Sequence, residues 1–242
     1  MNKAAAKHPQ IKFCGMRRPE DIALANQSQP DYLGLIFAPS KRQVSPEHAA
    51  HLVRQLDPGI KAVGVFVDET PATIDAIARS VGLNAVQLHG HETAADWQAL
   101  RKLLPAGTAI WQKLSIPVDA GLAAQRVADY SQMIEALQAL QAGTSGATGG
   151  ATGSQPLLPD VWLLDTEVGG QSGGTGQTFP WHLLRDFAAR YPVACAGGLN
   201  PDNVSAAILA LQPAIVDCSS GIERNLEKQA DLMAAFCHAV RD

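Results

Sequence analysis

Long apolar runs are missing from this chain of 242 residues, and so is any long block of like charge. No uncharged apolar run approaches the length of about 18 residues that a membrane-spanning helix needs. The first ten residues, MNKAAAKHPQ, are polar and contain no hydrophobic segment of the kind that a secretory signal requires. The sequence therefore predicts no membrane partner and a cytoplasmic location.

Charged residues are sparse, at 17% of the chain, and the formal net charge is -4. A nucleic-acid-binding domain presents a basic surface, which this composition does not supply. Hydrophobic residues make up 46% of the chain, enough for a substantial core. These proportions predict a globular chain with no nucleic-acid partner.

Cysteine is also scarce, and its spacing excludes the common clustered metal sites. The chain has four cysteines, with no CxxC pair and no short-spaced group: Cys14, Cys195, Cys218 and Cys237. Three of them lie in apolar runs that resemble buried strands. Reduced thiols in the cytoplasm are the simplest interpretation.

What the sequence does contain is a regular alternation of short apolar runs with longer amphipathic stretches. Runs this short and this apolar are typical of strands buried on both faces of a parallel sheet. The predicted strands are IKFCG (11–15), YLGLIF (32–37), KAVGVFV (61–67), AVQLHG (85–90), AIWQKLS (109–115), VWLLDT (161–166), VACAGG (193–198) and IVDCSS (215–220).

Helix signals fall between these runs. Ser45 with Pro46 and Thr70 with Pro71 are cap and first-turn pairs, and Gly82 is a stop signal. An Asn-Pro pair at 200–201 predicts another helix start. About eight βα units in sequence form either a closed barrel or an open doubly wound sheet, and periodicity alone does not separate the two.

One segment, AGTSGATGGATGSQ (142–155), interrupts the alternation. Its Gly, Ala, Thr and Ser residues cannot bury enough apolar surface to offset the entropy of ordering. We predict a flexible loop without function. In a barrel it would lie on the face opposite the active site, because it follows a helix and precedes a strand.

Reactive and polar side chains gather where the predicted strands end, which is where a (β/α)₈ barrel places its active site. The candidates are Cys14, Gln87, His89, Asp165, Asp217, Ser219 and Ser220, with Lys41 and Arg42 in the loop after the second strand.

Glycine-rich loops follow the sixth, seventh and eighth predicted strands. Glycine lets backbone N–H groups approach an anion, and barrels commonly bind phosphate at the loops after strands seven and eight. The predicted phosphate-binding residues are Gly174, Gly176, Gly197, Gly198, Ser219, Ser220 and Gly221.

The chain contains the following blocks in this order: KFCGMRRPED, LGLIFAPSKRQVSPE, VGVFVDE, VQLHGHE, LLDT with GGTGQTF, AGGLNPDNV and VDCSSGIE. Together they resemble the phosphoribosylanthranilate isomerase family of tryptophan biosynthesis. The resemblance runs from about residue 11 to residue 223. It implies a single (β/α)₈, or TIM, barrel domain and an acid/base Amadori rearrangement of N-(5-phosphoribosyl)anthranilate. It also implies a phosphorylated small-molecule substrate, no cofactor and no metal, in a monomer or homodimer.

The resemblance also implies roles for individual residues. Cys14 would be the general base and Asp165 the general acid, while Arg42 would bind the anthranilate carboxylate. Gln87 and His89 either bind substrate or orient their neighbours. Asp217 is a further binding candidate, which either contacts the substrate or supports a residue that contacts it.

Three features depart from the family pattern. Gln177 stands where the family commonly has lysine, and the 142–155 segment is not a family feature. Arg17 and Arg18 replace a Thr-Asn-like pair, which adds positive charge near the Cys14 strand.

Two alternatives remain. The related Amadori isomerase of histidine biosynthesis has an Asp on strand one, where this chain has Cys14. A barrel that only binds a phosphorylated ligand would not need both Cys14 and Asp165.

Overall fold

The computed structural model describes residues 8–145, 158–168, 171–172 and 176–242. Across these residues, eight parallel strands form one closed barrel. They are β1 (Gln10–Cys14), β2 (Tyr32–Ile36), β3 (Lys61–Phe66), β4 (Ala85–Leu88), β5 (Ala109–Pro117), β6 (Val161–Val168), β7 (Val193–Cys195) and β8 (Ile215–Cys218).

Each strand pairs with the next one along the chain, and β8 pairs back onto β1 to close the barrel. The closing register places Lys12 opposite Asp217. All eight predicted strands are present, with ends that differ by a few residues. The prediction of a (β/α)₈ barrel over an open sheet is therefore confirmed.

The strands are apolar on both faces because each face packs against a different layer. A small inner cluster fills the barrel; its buried members are Val63, Ala85, Trp111, Leu163, Ala194, Ala196 and Ile215. The larger cluster lies between the strands and the surrounding helices, and includes Ile11 and Phe13 of β1. Since side chains alternate along a strand, Lys12 and Cys14 point to the inside.

Eight helices cover the barrel within the described residues. They are α1 (Pro19–Ser28), α2 (Pro46–Val53), α3 (Pro71–Val81), α4 (Ala94–Leu103), α5 (Ala120–Ser145), α6 (Arg185–Arg190), α7 (Val204–Leu211) and α8 (Ala230–Arg241). No helix in the described part of the chain is both long and apolar enough to cross a membrane.

The predicted caps of α2 and α3 are confirmed. The Ser45 side chain accepts the His48 N–H, and the Thr70 side chain accepts the Thr73 N–H, each at 3.2 Å. Gly82 ends α3 with a φ of 81°, a left-handed conformation that glycine adopts without a steric penalty.

Two predictions about helix ends are wrong. The helix α7 begins at Val204 rather than at the Asn-Pro pair, because the Asn200 carboxamide accepts the N–H groups of Asp202 and Asn203 and holds this segment as a turn. The helix α5 continues to Ser145, so the first four residues of the predicted 142–155 loop are helical. Once a helix has formed, each added residue gains a hydrogen bond at little extra cost. The rest of that segment lies outside the described residues.

Candidate active site

A cavity of about 280 Å³ opens at the carboxyl ends of the strands. The sequence-predicted residues that line it are Cys14, Gln87, His89, Asp165, Gly197, Gly198, Asp217, Ser219 and Ser220. Barrel closure thus brings together side chains from β1, β4, β6 and β8, and the loops that follow β7 and β8.

Cys14 ends β1 at the cavity wall and is 7% exposed. Burial raises the pKa of its thiol above the ordinary value; the nearby Lys12 and Lys228 ammonium groups act in the opposite direction, and the Asp217 carboxylate adds to the rise. Desolvation therefore outweighs the two ammonium groups in the free protein.

Asp165 lies on β6, which is separated from β1 by the two strands β7 and β8. Burial raises the pKa of its carboxyl group to about 6, against the lowering effect of the Lys113 charge. A carboxyl group with that pKa is protonated in about one molecule in ten at pH 7, far more often than an ordinary aspartic acid, which suits a general acid.

Lys12 is a functional candidate that the sequence reasoning missed. Its side chain is fully buried, and its Nζ lies 2.7 Å from Asp217 Oδ2. Burial alone lowers the pKa of Lys12, but Asp217 and Cys14 more than offset this and raise it above the ordinary value. A lysine at an inward position of the apolar run IKFCG, two residues before Cys14, was the signal available in the sequence.

A second network joins the loops after β2 and β8. The Arg42 guanidinium donates to Glu223 through Nε at 2.9 Å and Nη2 at 2.6 Å. The buried Lys228 ammonium donates to the Cys14 carbonyl at 2.6 Å, to the Ser219 carbonyl at 3.0 Å, and lies 2.8 Å from the same Glu223 carboxylate. Sequence reasoning named Arg42 but neither Glu223 nor Lys228.

A model of the family described as N-(5'phosphoribosyl)anthranilate (PRA) isomerase matches residues 11–239. The chain belongs to this family.

A curated N-(5'-phosphoribosyl)anthranilate isomerase of Acetivibrio thermocellus is 37% identical over 233 residues, covering 96% of this chain and 95% of that protein. The phosphoribosyl anthranilate isomerase of Thermotoga maritima superposes with a TM-score of 0.74 at 30% identity, covering 96% and 98% of the two chains. A phosphoribosyl anthranilate isomerase in complex with reduced 1-(o-carboxyphenylamino)-1-deoxyribulose 5-phosphate superposes at 0.70 with 29% identity and the same coverage.

Gln87 and His89 contact each other through Nε2 atoms at the end of β4. Burial lowers the pKa of His89 to about 3, with the Lys113 and Lys12 charges acting in the same direction. The imidazole is therefore neutral at physiological pH. Gln87 Oε1 is buried and has no hydrogen-bond partner among the described residues.

The phosphate-binding loops predicted from the glycine-rich segments are only partly described. Gly197 and Gly198 line the cavity with φ of 78° and 70°, and a Cβ at Gly197 would overlap the Thr166 side chain. Gly221 does not line the cavity; a Cβ there would collide with the Leu199 carbonyl, so its glycine lets the loops after β7 and β8 pack together. Gly176 likewise packs against Gly198, and Gly174 lies outside the described residues.

Arg17 and Arg18 have partners away from the cavity. Arg17 donates to the Leu226 carbonyl at 3.1 Å, while Arg18 pairs with Asp21 and Glu227. The expectation that they supply charge near the thiol is therefore wrong; the hairpin at Glu223–Lys228 is where they bind. Within the described ranges, no group of three or more His, Cys, Asp or Glu side chains is placed to hold a metal ion.

Proposed function

We propose that this chain isomerises N-(5'-phosphoribosyl)anthranilate to 1-(2-carboxyphenylamino)-1-deoxyribulose 5-phosphate, a step of tryptophan biosynthesis. The observation that carries the proposal is the pairing, in one cavity, of the Cys14 thiol with a carboxyl group, Asp165, whose pKa is raised to about 6. Family membership over residues 11–239 supplies the substrate.

Asp165 acts first, as the general acid. It donates its proton to the furanose ring oxygen, the bond from that oxygen to C1 breaks, and the anilino nitrogen supplies the electron pair that forms an iminium ion. Burial matches Asp165 to this role, because desolvation disfavours the carboxylate and keeps the proton available.

Cys14 acts second, as the general base. Its thiolate takes the proton from C2; the C–H electron pair becomes a C1=C2 double bond, and the iminium π electrons return to nitrogen. The resulting enolamine loses its C2 hydroxyl proton and gains one at C1, which gives the ketone.

We assign several groups to substrate binding. Arg42 uses Nε and Nη2 for Glu223, and we assign its remaining nitrogen, Nη1, to the anthranilate carboxylate. The backbone at Gly197, Gly198, Ser219 and Ser220 is assigned to the phosphate, which suits exposed N–H groups in glycine-rich turns.

Two buried acceptors in the cavity wall, Gln87 Oε1 and Asp217 Oδ1, have no hydrogen-bond partner among the described residues. A buried polar atom without a partner costs about 1–3 kcal/mol. Ribose hydroxyl groups would satisfy both acceptors, so we assign Gln87 and Asp217 to sugar binding. Four free cysteines agree with a cytoplasmic enzyme, where thiols stay reduced.

The test is loss of anthranilate fluorescence when purified protein meets N-(5'-phosphoribosyl)anthranilate. Turnover by wild type is expected, and Cys14→Ser is expected to lower kcat at least ~10²-fold, since a hydroxyl ionises far less readily than a thiol. Cys237→Ser is the matched control, because Cys237 lies on α8 and does not line the cavity. No turnover by wild type would refute the activity, and full turnover by folded Cys14→Ser would remove Cys14 from the mechanism.

A further inference from the structure

A buried lysine two residues before the proposed base requires an explanation. Lys12 is 0% exposed, although lysine is almost never fully buried unless it is paired. Removing an ammonium group from water costs several kcal/mol even after the protein relaxes. One ion pair with Asp217, at 2.7 Å, occupies only one of its three N–H donors.

The geometry gives the ammonium a second neighbour. Cys14 pairs with Gly34 of β2, and a Cβ placed on Gly34 would lie 2.7 Å from Cys14 Sγ and 3.1 Å from Lys12 Nζ. The sulfur and the ammonium nitrogen therefore converge over the same glycine, whose missing side chain leaves room for their contact.

The other cations near Cys14 are already committed. Lys228 directs its ammonium at the Cys14 carbonyl, the Ser219 carbonyl and Glu223, which accounts for three N–H groups. Arg42 holds Glu223 with Nε and Nη2. Since Arg42 Nη1 is assigned to the anthranilate carboxylate, Lys12 is the cation near Cys14, among the described residues, with N–H donors left for the sulfur.

The charges that face Cys14 from every neighbouring element give the same result. Lys12 on β1 and Asp217 on β8 cancel, and Arg42, Lys228 and Glu223 leave one surplus positive charge. That surplus charge is shared by Lys228, which contacts the Cys14 carbonyl, and by Arg42 in the loop after β2. Lys12, in contrast, has its ammonium group next to the Cys14 sulfur.

We propose that Lys12 is the positioning residue of the Cys14 base: Asp217 locks its ammonium below the cavity, and the ammonium donates to the sulfur and accompanies the thiolate. The role rests on the proposed isomerase function, in which Cys14 accepts the C2 proton. The ion pair with Asp217 keeps the ammonium charged, because burial alone would favour the neutral amine.

The test measures the thiol directly, by the rate of Cys14 alkylation with iodoacetamide at pH 8.5, located by peptide mass mapping. Cys195 and Cys218 serve as internal references, since burial raises the pKa of each thiol far above its ordinary value. The variants are Lys12→Met, which keeps length and removes charge, and the double variant Lys12→Met with Asp217→Asn, which leaves no unpaired carboxylate. Lys102→Met, at an exposed position on α4, is the matched control.

Lys12→Met is expected to alkylate at Cys14 about threefold more slowly or worse. The double variant is expected to be slowed less but to stay below wild type, because removal of the Asp217 carboxylate offsets the lost charge while the N–H donor to the sulfur is still missing. Loss of a neighbouring positive charge raises a thiol pKa by about one unit or more, and the higher nucleophilicity of the remaining thiolate restores part of the rate. In the isomerase assay of Lys12→Met, kcat is expected to fall while KM stays within about twofold, because Lys12 does not line the cavity. The double variant is compared by alkylation alone, because Asp217 is assigned to sugar binding. Lys102→Met is expected to match wild type in both assays.

A folded double variant that alkylates at the wild-type rate would overturn the proposal. The double variant tests the proposal even if Lys12→Met alone does not fold, because its two neutral side chains leave no buried charge unpaired. Failure of the isomerase function is a separate result: it appears as absence of turnover by the wild type, whereas the alkylation comparison measures the thiol whether or not the protein turns over substrate.

Discussion

Arg42 and Glu223 form a bidentate ion pair across the mouth of the barrel, with nitrogen–oxygen distances of 2.9 and 2.6 Å. The two residues are 181 positions apart in the chain. Glu223 also pairs with Lys228, whose ammonium donates to the carbonyl of Cys14. The proposed carboxylate-binding arginine is therefore held by the same acidic side chain that anchors the loop next to the base.

Arg42→Ala is expected mainly to raise KM. Truncation leaves the substrate carboxylate without its guanidinium partner, which costs about 2–4 kcal/mol if the contact is buried. Glu223→Gln keeps the side-chain shape but loses the charge that orients Arg42, so KM should rise by a smaller factor. Steady-state kinetics measure both changes, with Arg79→Ala, an exposed arginine on α3, as the control. Unchanged KM and kcat in Arg42→Ala would make the assignment wrong.

Asp165→Asn is expected to lower kcat at least ~10²-fold, because the amide has no acidic proton to donate. In the wild type, kcat/KM should rise with pH up to about 6 and then level off, because above the pKa of Asp165 the falling fraction of protonated acid is balanced by the rising fraction of Cys14 thiolate, whose pKa is higher. A pH profile of kcat/KM measures this limb. The assignment of Asp165 as the acid would not survive a profile that is flat between pH 5 and 8 together with an active Asp165→Asn protein.

The same carboxyl group should make the wild type less stable at higher pH. Its pKa is raised in the folded protein, from 3.8 to about 6, so between these values the native state holds more protons than the unfolded state. The free energy of unfolding therefore falls as pH rises through this window, by up to about 3 kcal/mol.

Asp165→Asn removes that loss, because the amide stays neutral. Urea unfolding at pH 4 and pH 8 should show the variant gaining stability relative to wild type at the higher pH. An equal difference in unfolding free energy at both values would contradict the raised pKa.

Trimming residues 146–155 to a short Gly/Ser turn is expected to leave turnover within a few-fold and the melting temperature nearly unchanged. The segment connects the end of α5 at Ser145 to the start of β6 at Val161, and the cavity lies at the other ends of the strands. The fluorescence assay and a thermal melt measure the two quantities. A loss of activity as large as that of Cys14→Ser would show that the segment reaches the active site.

The sequence alone determined the features that depend on neighbouring residues. The order of strands and helices follows from apolar periodicity, and the caps at Ser45 and Thr70 follow from side chains that bond to backbone three residues away. The position of Cys14 and Asp165 at strand ends was also readable, because parallel strands in a barrel present their carboxyl ends on one face.

Only the tertiary structure decided how charges are paired and what burial does to them. Lys12 lies 205 residues from Asp217, and Lys228 lies 214 residues from Cys14, so nothing local to either sequence segment indicates these contacts. The raised pKa of Asp165 depends on desolvation by strands that meet only when β8 closes onto β1. Electrostatic energies depend on distance and on exclusion of water, and both are set by contacts between residues distant in the chain.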